Sequence, residues 1–242
     1  MIVMKETVEK LRSIHLDNER SIWICEPENP SSARSLTVFL DGEFYRDNVG
    51  AASMIAELRA QHKIADSWFV FVSMESMESR WRECPCHPPF AKFVGDELLP
   101  WLAERHEAIW TVQERILVGL SYTGLAAAFI AKEAPGVFQK VISQSGSYWS
   151  ENCQLIEQYH RLPQRLPTEF YLEVGSKENQ GNLRHREDVF QVVSQMEGVR
   201  RFRDVLIQQG HEVKYTEFNG GHDFAEWKKT LPAALTWALP IH

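Results

Sequence analysis

Short apolar runs rich in β-branched and aromatic residues alternate along the chain with longer segments in which apolar residues recur at helical spacing. The short runs predict strands over residues 21–25, 35–40, 68–72, 115–118, 137–143, 170–174 and 213–218. The longer segments predict helices over residues 49–62, 90–105, 125–132, 183–209 and 225–237. This alternation is typical of a mainly parallel sheet covered by helices. We therefore predict an α/β fold with a mainly parallel central sheet flanked by helices.

The segments between these elements show little sign of a boundary between domains. Residues 73–89 are polar and rich in proline, and predict a loop, while Pro100 is expected to bend or interrupt the helix that follows. There is no internal repeat and no linker-like tract. A length of 242 residues suits one large α/β domain, so we predict a single domain over residues 1–242.

Composition and charge narrow the class of protein. Hydrophobic residues make up 44% and charged residues 24%, as in ordinary globular proteins. The net charge of −7 and the lack of a broad basic stripe argue against a nucleic-acid partner. Acidic residues in the first ten positions and the lack of a long apolar run predict a cytoplasmic protein with no membrane partner. Nothing in the sequence indicates the oligomeric state.

The clearest chemical motif is Gly-Leu-Ser-Tyr-Thr-Gly at residues 119–124, which lies between a predicted strand and an Ala-rich helix. A strand, a sharp turn and a helix are the context of a nucleophile elbow, in which Ser121 would be exposed and the Tyr122 N–H would form half of an oxyanion hole. The usual pattern is G-x-S-x-G, and here Thr123 replaces the second glycine, which brings a β-carbon into a place where strand and helix pack closely. Alternatively, Ser121 caps the helix and does nothing else.

A histidine and an acid follow in the order that such an elbow requires. His222 comes after the last predicted strand, beside a glycine pair and before a helix. Asp223 suits a helix cap better than a triad, because an adjacent residue cannot easily reach the imidazole edge. Glu178 lies in the loop after the strand at 170–174 and is our predicted acid, although a solvated loop carboxylate and a Ser-His dyad remain open alternatives.

With these motifs in place, the chain resembles the catalytic domain of the enterochelin esterase group, within the esterase D family of α/β-hydrolases. The matching pieces are the elbow and the segments 39–44, 80–83, 97–101, 143–149, 172–175 and 220–224, which occur in the same order. The resemblance implies that Ser121 and His222 are catalytic and that Glu43 supplies the second oxyanion N–H. Members that hydrolyse catecholate siderophores carry an additional N-terminal domain; because strand signals begin by about residue 21, we expect no such domain in this sequence.

The predicted activity is serine ester hydrolysis through an acyl-enzyme, with a small-molecule ester as partner and no metal or organic cofactor. Loops after the strands should build the mouth of the site. The candidate wall residues are Phe44, Arg80, Trp81, Tyr148 and Trp149, which would suit an aryl or catecholate ester. Trp149 also suits core packing, and Arg80 a solvated loop. A thioesterase, a carbohydrate acyl esterase and a non-catalytic binding protein remain alternatives.

Overall fold

The computed structural model describes residues 5–241, and its main feature is one sheet of eight strands. The chain forms β1 (Glu6–Ser13), β2 (Asn18–Cys25), β3 (Ser35–Leu40), β4 (Ser67–Val72), β5 (Glu114–Leu120), β6 (Lys140–Gln144), β7 (Glu169–Gly175), β8 (Leu183–Arg184), β9 (Phe190–Gln191) and β10 (Val213–Phe218). The sheet has the order β1-β2-β4-β3-β5-β6-β7-β10, and β8 pairs with β9 as a separate hairpin. In this order, the strands β4, β3, β5, β6, β7 and β10 are parallel to their neighbours. At one edge of the sheet, β1 pairs with β2 and β2 with β4 in antiparallel orientation.

Helices cover both faces of this sheet. They are α1 (Ala51–Ala60), α2 (Met77–Glu83), α3 (Pro88–Lys92), α4 (Leu99–Arg105), α5 (Tyr122–Glu133), α6 (Ser150–His160), α7 (Gln195–Gln208) and α8 (Phe224–Ala238). π-Helical turns lie at Phe44–Val49 and Phe93–Leu98, and a 3₁₀ turn lies at Glu107–Thr111. The prediction of an α/β fold with a mainly parallel sheet flanked by helices is confirmed.

Burial on both faces explains why the central strands are continuous apolar runs. Along β3, Val38 belongs to the cluster beneath α3 to α7, and its neighbour Phe39 belongs to the cluster beneath α1 and α8. Successive side chains of a strand point to opposite faces, so both sets of side chains of a strand covered on both sides lie in apolar surroundings. The few polar residues there are small and hydrogen-bonded, as in the 3.2 Å contact between the Thr37 and Ser67 hydroxyls. Every residue of β3 and β4 is buried accordingly.

Several segments of the structure differ from the sequence predictions. The strand β1 was not predicted, because it is an edge strand in which six of eight residues are polar and only two are buried. The proposed loop at 73–89 contains α2, which is capped by Ser76. Pro100 does not interrupt its helix, since it lies in the first turn of α4, where its missing N–H is not needed, directly after a π-helical turn.

The predicted helix over 183–209 is wrong in its first half. Residues 183–191 form the β8–β9 hairpin, and α7 begins only at Gln195, after the Ser194 side chain caps it by accepting a hydrogen bond from the Glu197 N–H. The helix α6 was also missed. None of the helices within residues 5–241 has the length and apolar character needed to cross a membrane.

A buried ion pair fastens α2 to the sheet. Arg20 on β2 pairs with Glu83 at the end of α2, and the two side chains are 0% and 1% exposed. The Arg20 guanidinium also donates to the Ser73 carbonyl at 3.2 Å and to the Asn18 side chain at 3.1 Å. Because α2 carries Arg80 and Trp81, this pair sets the position of one wall of the site described below.

Replacing Arg20 with methionine is expected to lower the free energy of unfolding by about 3 kcal/mol or more, because it leaves the Glu83 carboxylate buried without its main partner. Urea denaturation measures this change. The matched control is Arg161→Met, which breaks the exposed Arg161–Glu157 pair and should cost less than about 1 kcal/mol. Equal losses in the two variants would contradict a stabilising role for the buried pair.

Candidate active site

The turn at Ser121 is tight and strained. Strand β5 ends at Leu120 and α5 begins at Tyr122, so Ser121 alone makes the change of direction, with φ 53° and ψ −119°. A β-carbon at Gly119 would lie 2.1 Å from the Thr123 carbonyl oxygen, so that position accepts only glycine. A residue other than glycine in such a backbone conformation is found mostly at functional sites.

Neighbouring backbone groups hold this turn in place. The Ser121 N–H donates to the Gln144 carbonyl at 2.8 Å. The Ser121 carbonyl accepts from the N–H groups of Ser147 at 3.0 Å and Leu125 at 3.2 Å. The strained serine is therefore supported from the end of β6 as well as from its own helix.

Ser121, His222 and Glu178 lie in a hydrogen-bonded row. The distance from Ser121 Oγ to His222 Nε2 is 2.9 Å, and the distance from His222 Nδ1 to Glu178 Oε2 is 2.5 Å. The Glu178 side chain is 1% exposed, whereas the His222 side chain is 38% exposed. Ser121 is 9% exposed and faces a cavity. The structure thus brings together the three residues predicted for a catalytic triad, with the acid buried behind the imidazole.

The second oxygen of Glu178 is also fixed. Glu178 Oε1 accepts hydrogen bonds from the Ser145 hydroxyl and the Gly175 N–H, each at 2.7 Å. The Trp227 indole N–H donates to Ser145 Oγ at 3.1 Å, and its ring meets the His222 ring edge-on at 4.8 Å. Ser145 and Trp227 were not predicted as site residues. Ser145 belongs to the segment 143–149, which matched the resembled family in the sequence, whereas no motif in the sequence indicated Trp227.

A second buried carboxyl lies beneath this row. Glu173 on β7 is fully buried and accepts hydrogen bonds from the Gln144 side chain at 2.7 Å and from the Thr230 hydroxyl. The Tyr45 hydroxyl donates to the other end of the Gln144 amide at 3.0 Å. Burial, together with the nearby Glu178 charge, raises the pKa of Glu173 to about 7 against the effect of these hydrogen bonds.

The two predicted oxyanion donors flank the serine. Tyr122 is the first residue of α5, so its N–H has no acceptor within the helix. Glu43 directly precedes a π-helical turn, and its side chain accepts from the Met74 N–H at 3.2 Å. Burial raises the pKa of Glu43 to about 7, although hydrogen bonds from its own N–H and that of Met74 lower it. The oxyanion role of both N–H groups remains a prediction.

A cavity of about 390 Å³ opens over Ser121 and His222. Aromatic rings form much of its wall: His185 stacks on Trp149 with centroids 5.1 Å apart, and Trp81 meets Tyr122 edge-on at 4.7 Å. The lining residues are Arg80, Trp81, Ser121, Tyr122, Ser147, Trp149, Lys177, Glu178, Gln180, Leu183, His185, Gln191, Gln195 and His222. Part of the wall thus comes from the β8–β9 hairpin, which was predicted as helix, and part from α2, which was predicted as loop.

Of the five predicted wall residues, Arg80, Trp81 and Trp149 line the cavity, whereas Phe44 and Tyr148 do not. Phe44 packs edge-on against Phe224 with centroids 5.2 Å apart. Tyr148 is fully buried, and its hydroxyl donates to Ser143 Oγ at 2.8 Å. Core packing therefore accounts for both residues.

Arg80 is not a free cation for an anionic substrate. Its guanidinium donates twice to the Asp41 carboxylate, at 2.9 Å from Nε and 2.8 Å from the terminal nitrogen, and the residue is 5% exposed. Thr123, which was expected to bring a β-carbon into a tight place, is fully buried at this turn. At the next residue, Gly124, a β-carbon would lie 2.7 Å from Ser143 Oγ.

Trp149 is held by a residue that the sequence did not single out. Its indole N–H donates to Gln195 Oε1 at 2.5 Å, and the Gln195 amide donates in turn to the Ser145 carbonyl. Gln195 is the first residue of α7. The start of α7 thus joins the cavity wall to the loop that supports Glu178.

A parallel sheet with a strained serine at the carboxyl end of a central strand, next to a histidine and an acid from later loops, defines an α/β-hydrolase fold with triad geometry. Comparison with known families is consistent with this class: the Esterase family model, described as "Putative esterase", matches residues 13–238. The chain belongs to this esterase family, which confirms the resemblance stated from the sequence.

Individual relatives point the same way. The chain is 30% identical over 241 residues to the iron(III) enterobactin esterase of Dickeya dadantii, covering 96% of this chain and 54% of that protein. It is 27% identical over 239 residues to the iron(III) enterobactin esterase of Escherichia coli, covering 97% and 56%. The chain therefore spans about half the length of these curated relatives.

A solved structure shows the same fold. The crystal structure of the enterobactin esterase from Shigella flexneri in the presence of enterobactin superposes with a TM-score of 0.82 at 23% identity. The similarity covers 97% of this chain and 59% of that one.

Glu178→Gln is expected to lower kcat for an aryl ester by about 10³-fold or more, because the amide does not stabilise the imidazolium and permits the wrong tautomer. Steady-state kinetics measure this, and thermal unfolding shows whether the variant is folded. The matched control is Asp223→Asn, at the cap of α8 beside His222, which should leave kcat nearly unchanged. Near-normal turnover in Glu178→Gln would point to a Ser-His dyad.

Glu173→Gln is expected to flatten the pH dependence of the free energy of unfolding between about pH 4.5 and 7. The pKa of Glu173 is about 7 in the folded chain against an ordinary value of 4.5. In this window the folded state keeps a proton that the unfolded state has lost, so the stability of the wild type falls as the pH rises. Glutamine does not titrate and removes this contribution. Urea unfolding at a series of pH values measures the slope.

The control for this experiment is Glu217→Gln. A hydrogen bond from Arg200 lowers the pKa of Glu217 to about 2, so this residue contributes stability that is lost only as the pH falls below about 4.5. Its replacement should leave the slope between pH 4.5 and 7 unchanged. An unchanged slope in Glu173→Gln would show that this carboxyl is ionised in the folded chain.

Proposed function

We propose that this chain is a serine esterase that cleaves carboxylic esters carrying an aromatic group, through a covalent acyl-enzyme. The observation that carries the proposal is the row Ser121–His222–Glu178, which opens into a cavity with aromatic walls. The membership of the esterase family supports the reaction type.

The first half of the reaction forms the acyl-enzyme. As Ser121 Oγ attacks the ester carbonyl carbon, His222 Nε2 takes the hydroxyl proton, and the imidazolium that forms is stabilised by Glu178. The carbonyl oxygen becomes an oxyanion, for which the N–H groups of Tyr122 and Glu43 are the proposed donors. When the intermediate collapses, His222 gives the proton to the leaving alkoxide, and the alcohol departs.

The second half returns the enzyme to its starting state. A water molecule gives a proton to His222 and attacks the acyl carbon, so that a second oxyanion forms. Its collapse releases the carboxylic acid and returns the proton to Ser121 Oγ. The hydrogen bonds that fix both oxygens of Glu178 keep the imidazole in one orientation through both halves.

The shape and chemistry of the cavity favour an aromatic group. A volume of about 390 Å³ suits a single substituted ring with its ester. Trp81 and His185 offer ring faces and edges for stacking, with the buried Trp149 behind His185, and Lys177 places a cation at the exposed rim. Phenolic or anionic ring substituents would meet that cation. The relatives named as iron(III) enterobactin esterases support catecholate esters as the first substrates to test.

The test is hydrolysis of phenyl and catecholate esters by the purified protein, together with covalent labelling by a fluorophosphonate. Ser121→Ala is expected to lose labelling and to lower kcat by at least about 10³-fold, because the nucleophile is gone. Ser147→Ala, which removes another hydroxyl of the same cavity, should still be labelled. Labelling that persists in Ser121→Ala, or a wild type with neither hydrolysis nor labelling, would refute the proposal.

A substrate panel separates the acyl specificity from the reaction type. We expect a higher kcat/KM for 2,3-dihydroxybenzoyl and feruloyl esters than for acetylated sugars or glutathione thioesters. Preference for the sugar ester or the thioester would leave the nucleophile assignment intact and replace the aromatic substrate class with that of the preferred compound.

A further inference from the structure

Thr123 is the residue by which the nucleophile turn departs from G-x-S-x-G, and it is fully buried. Its hydroxyl accepts a hydrogen bond from the Leu120 N–H at 3.0 Å and lies 2.8 Å from Asp41 Oδ2. The Leu120 carbonyl oxygen also lies 2.8 Å from this hydroxyl. The side chain thus joins the end of β5 to the end of β3, and a glycine at this position would make none of these contacts.

Asp41 connects this hydroxyl to a buried ion pair. The carboxylate is fully buried and accepts two hydrogen bonds from Arg80, at 2.9 Å from Nε and 2.8 Å from the terminal nitrogen. That nitrogen also approaches the Leu120 carbonyl at 3.5 Å. A ring of contacts therefore runs from Leu120 through Thr123, Asp41 and Arg80 back to Leu120.

This ring links the segment that carries the nucleophile to the segment that carries the proposed second oxyanion donor, and the reaction requires a fixed distance between the two. Leu120 directly precedes the strained Ser121, and Asp41 directly precedes residues 42–43, which carry the proposed second oxyanion donor. Asp41 has a φ of 55°, so the end of β3 is also in a backbone conformation that needs support from its surroundings.

We propose that Thr123 is a positioning residue for ester hydrolysis, whose hydroxyl locks the nucleophile turn to the oxyanion segment through Asp41. This inference rests on the proposed function. Loss of the hydroxyl leaves the Leu120 N–H without its acceptor and removes one of the donors to a buried carboxylate. The resulting shift acts on the distance between Ser121 Oγ and the oxyanion donors. It therefore weakens binding of the transition state more than binding of the substrate.

The test uses Thr123→Val, which keeps the shape of the side chain and removes only the hydroxyl, and Thr123→Ser, which keeps the hydroxyl. For phenyl acetate we expect Thr123→Val to lower kcat by roughly 10- to 100-fold, as for a partly misplaced oxyanion donor, with KM within about twofold of the wild type. Thr123→Ser should recover kcat to within about threefold. If Thr123→Val does not fold, Thr123→Ala takes its place.

The matched control is Thr168→Val. Thr168 is also buried, and its hydroxyl donates to the Phe138 carbonyl at 2.8 Å. Thr168 directly precedes β7 and so lies at the amino-terminal ends of the parallel strands, whereas Ser121 lies at their carboxyl ends. This variant loses a comparable buried hydrogen bond and should keep the kcat of the wild type. A comparable fall in kcat in Thr168→Val, or a Thr123→Ser variant as slow as Thr123→Val, would show that Thr123 has only a general structural effect.

A second readout does not depend on activity. Amide hydrogen exchange of the peptide 119–123 should become faster in Thr123→Val and stay unchanged in Thr123→Ser and Thr168→Val, because only the valine at 123 frees the Leu120 N–H. Unchanged exchange would overturn the proposed lock even if kcat falls. If the wild type shows neither hydrolysis nor fluorophosphonate labelling, the esterase proposal fails and Thr123 positions no reaction, whatever the exchange result.

Discussion

The strained backbone of Ser121 is the constraint on which the rest of the site depends. A residue other than glycine in such a conformation costs about 1–3 kcal/mol and persists only where its surroundings fix it. Strand β6 provides much of that support, because its last carbonyl, at Gln144, accepts from the Ser121 N–H, and the loop after it places the Ser147 N–H on the Ser121 carbonyl. The Gln144 side chain meanwhile pairs with Glu173. One strand end thus supports both the serine turn and the buried carboxyl beneath the triad.

The central strands could be predicted from sequence because they are buried on both faces of the sheet. The strands β3 and β10 were predicted with their observed bounds, and β4 within one residue. For β3 and β4 the reason is that a doubly covered strand is mostly apolar. The strand β10 is a half-exposed edge strand and was recognised from its β-branched and aromatic residues. The edge strand β1 is mostly polar and was missed. The segment 183–194 was wrongly merged with α7, because strands of two residues, as in the β8–β9 hairpin, are too short to show a period.

The proposed catalytic residues were predictable for a topological reason. Parallel strands end at one edge of the sheet, so the residues that follow β5, β7 and β10 are neighbours however far apart they lie in the sequence. That rule selected Ser121, Glu178 and His222. It says nothing about side chains that arrive from elsewhere, and so Trp227 from inside α8 and Gln195 from the start of α7 were missed. Their contacts depend on how the helices pack over the sheet, which no local pattern records.

The proposed catalytic residues and the residues of the cavity wall come from different structural elements. The proposed catalytic groups follow strands of the main sheet, and Ser121 and Glu178 are held by hydrogen bonds to other buried groups, so a change there disturbs the sheet itself. Much of the cavity wall comes instead from α2 and the β8–β9 hairpin, which lie outside the sheet. His185 of that hairpin contributes a ring face through its stack on Trp149 and is fixed by a 2.8 Å contact between Nε2 and Gln191 Oε1. Under the proposed function, substitutions in the hairpin alter which ester fits while the row from Ser121 to Glu178 stays intact, which is how one hydrolase fold serves many esters.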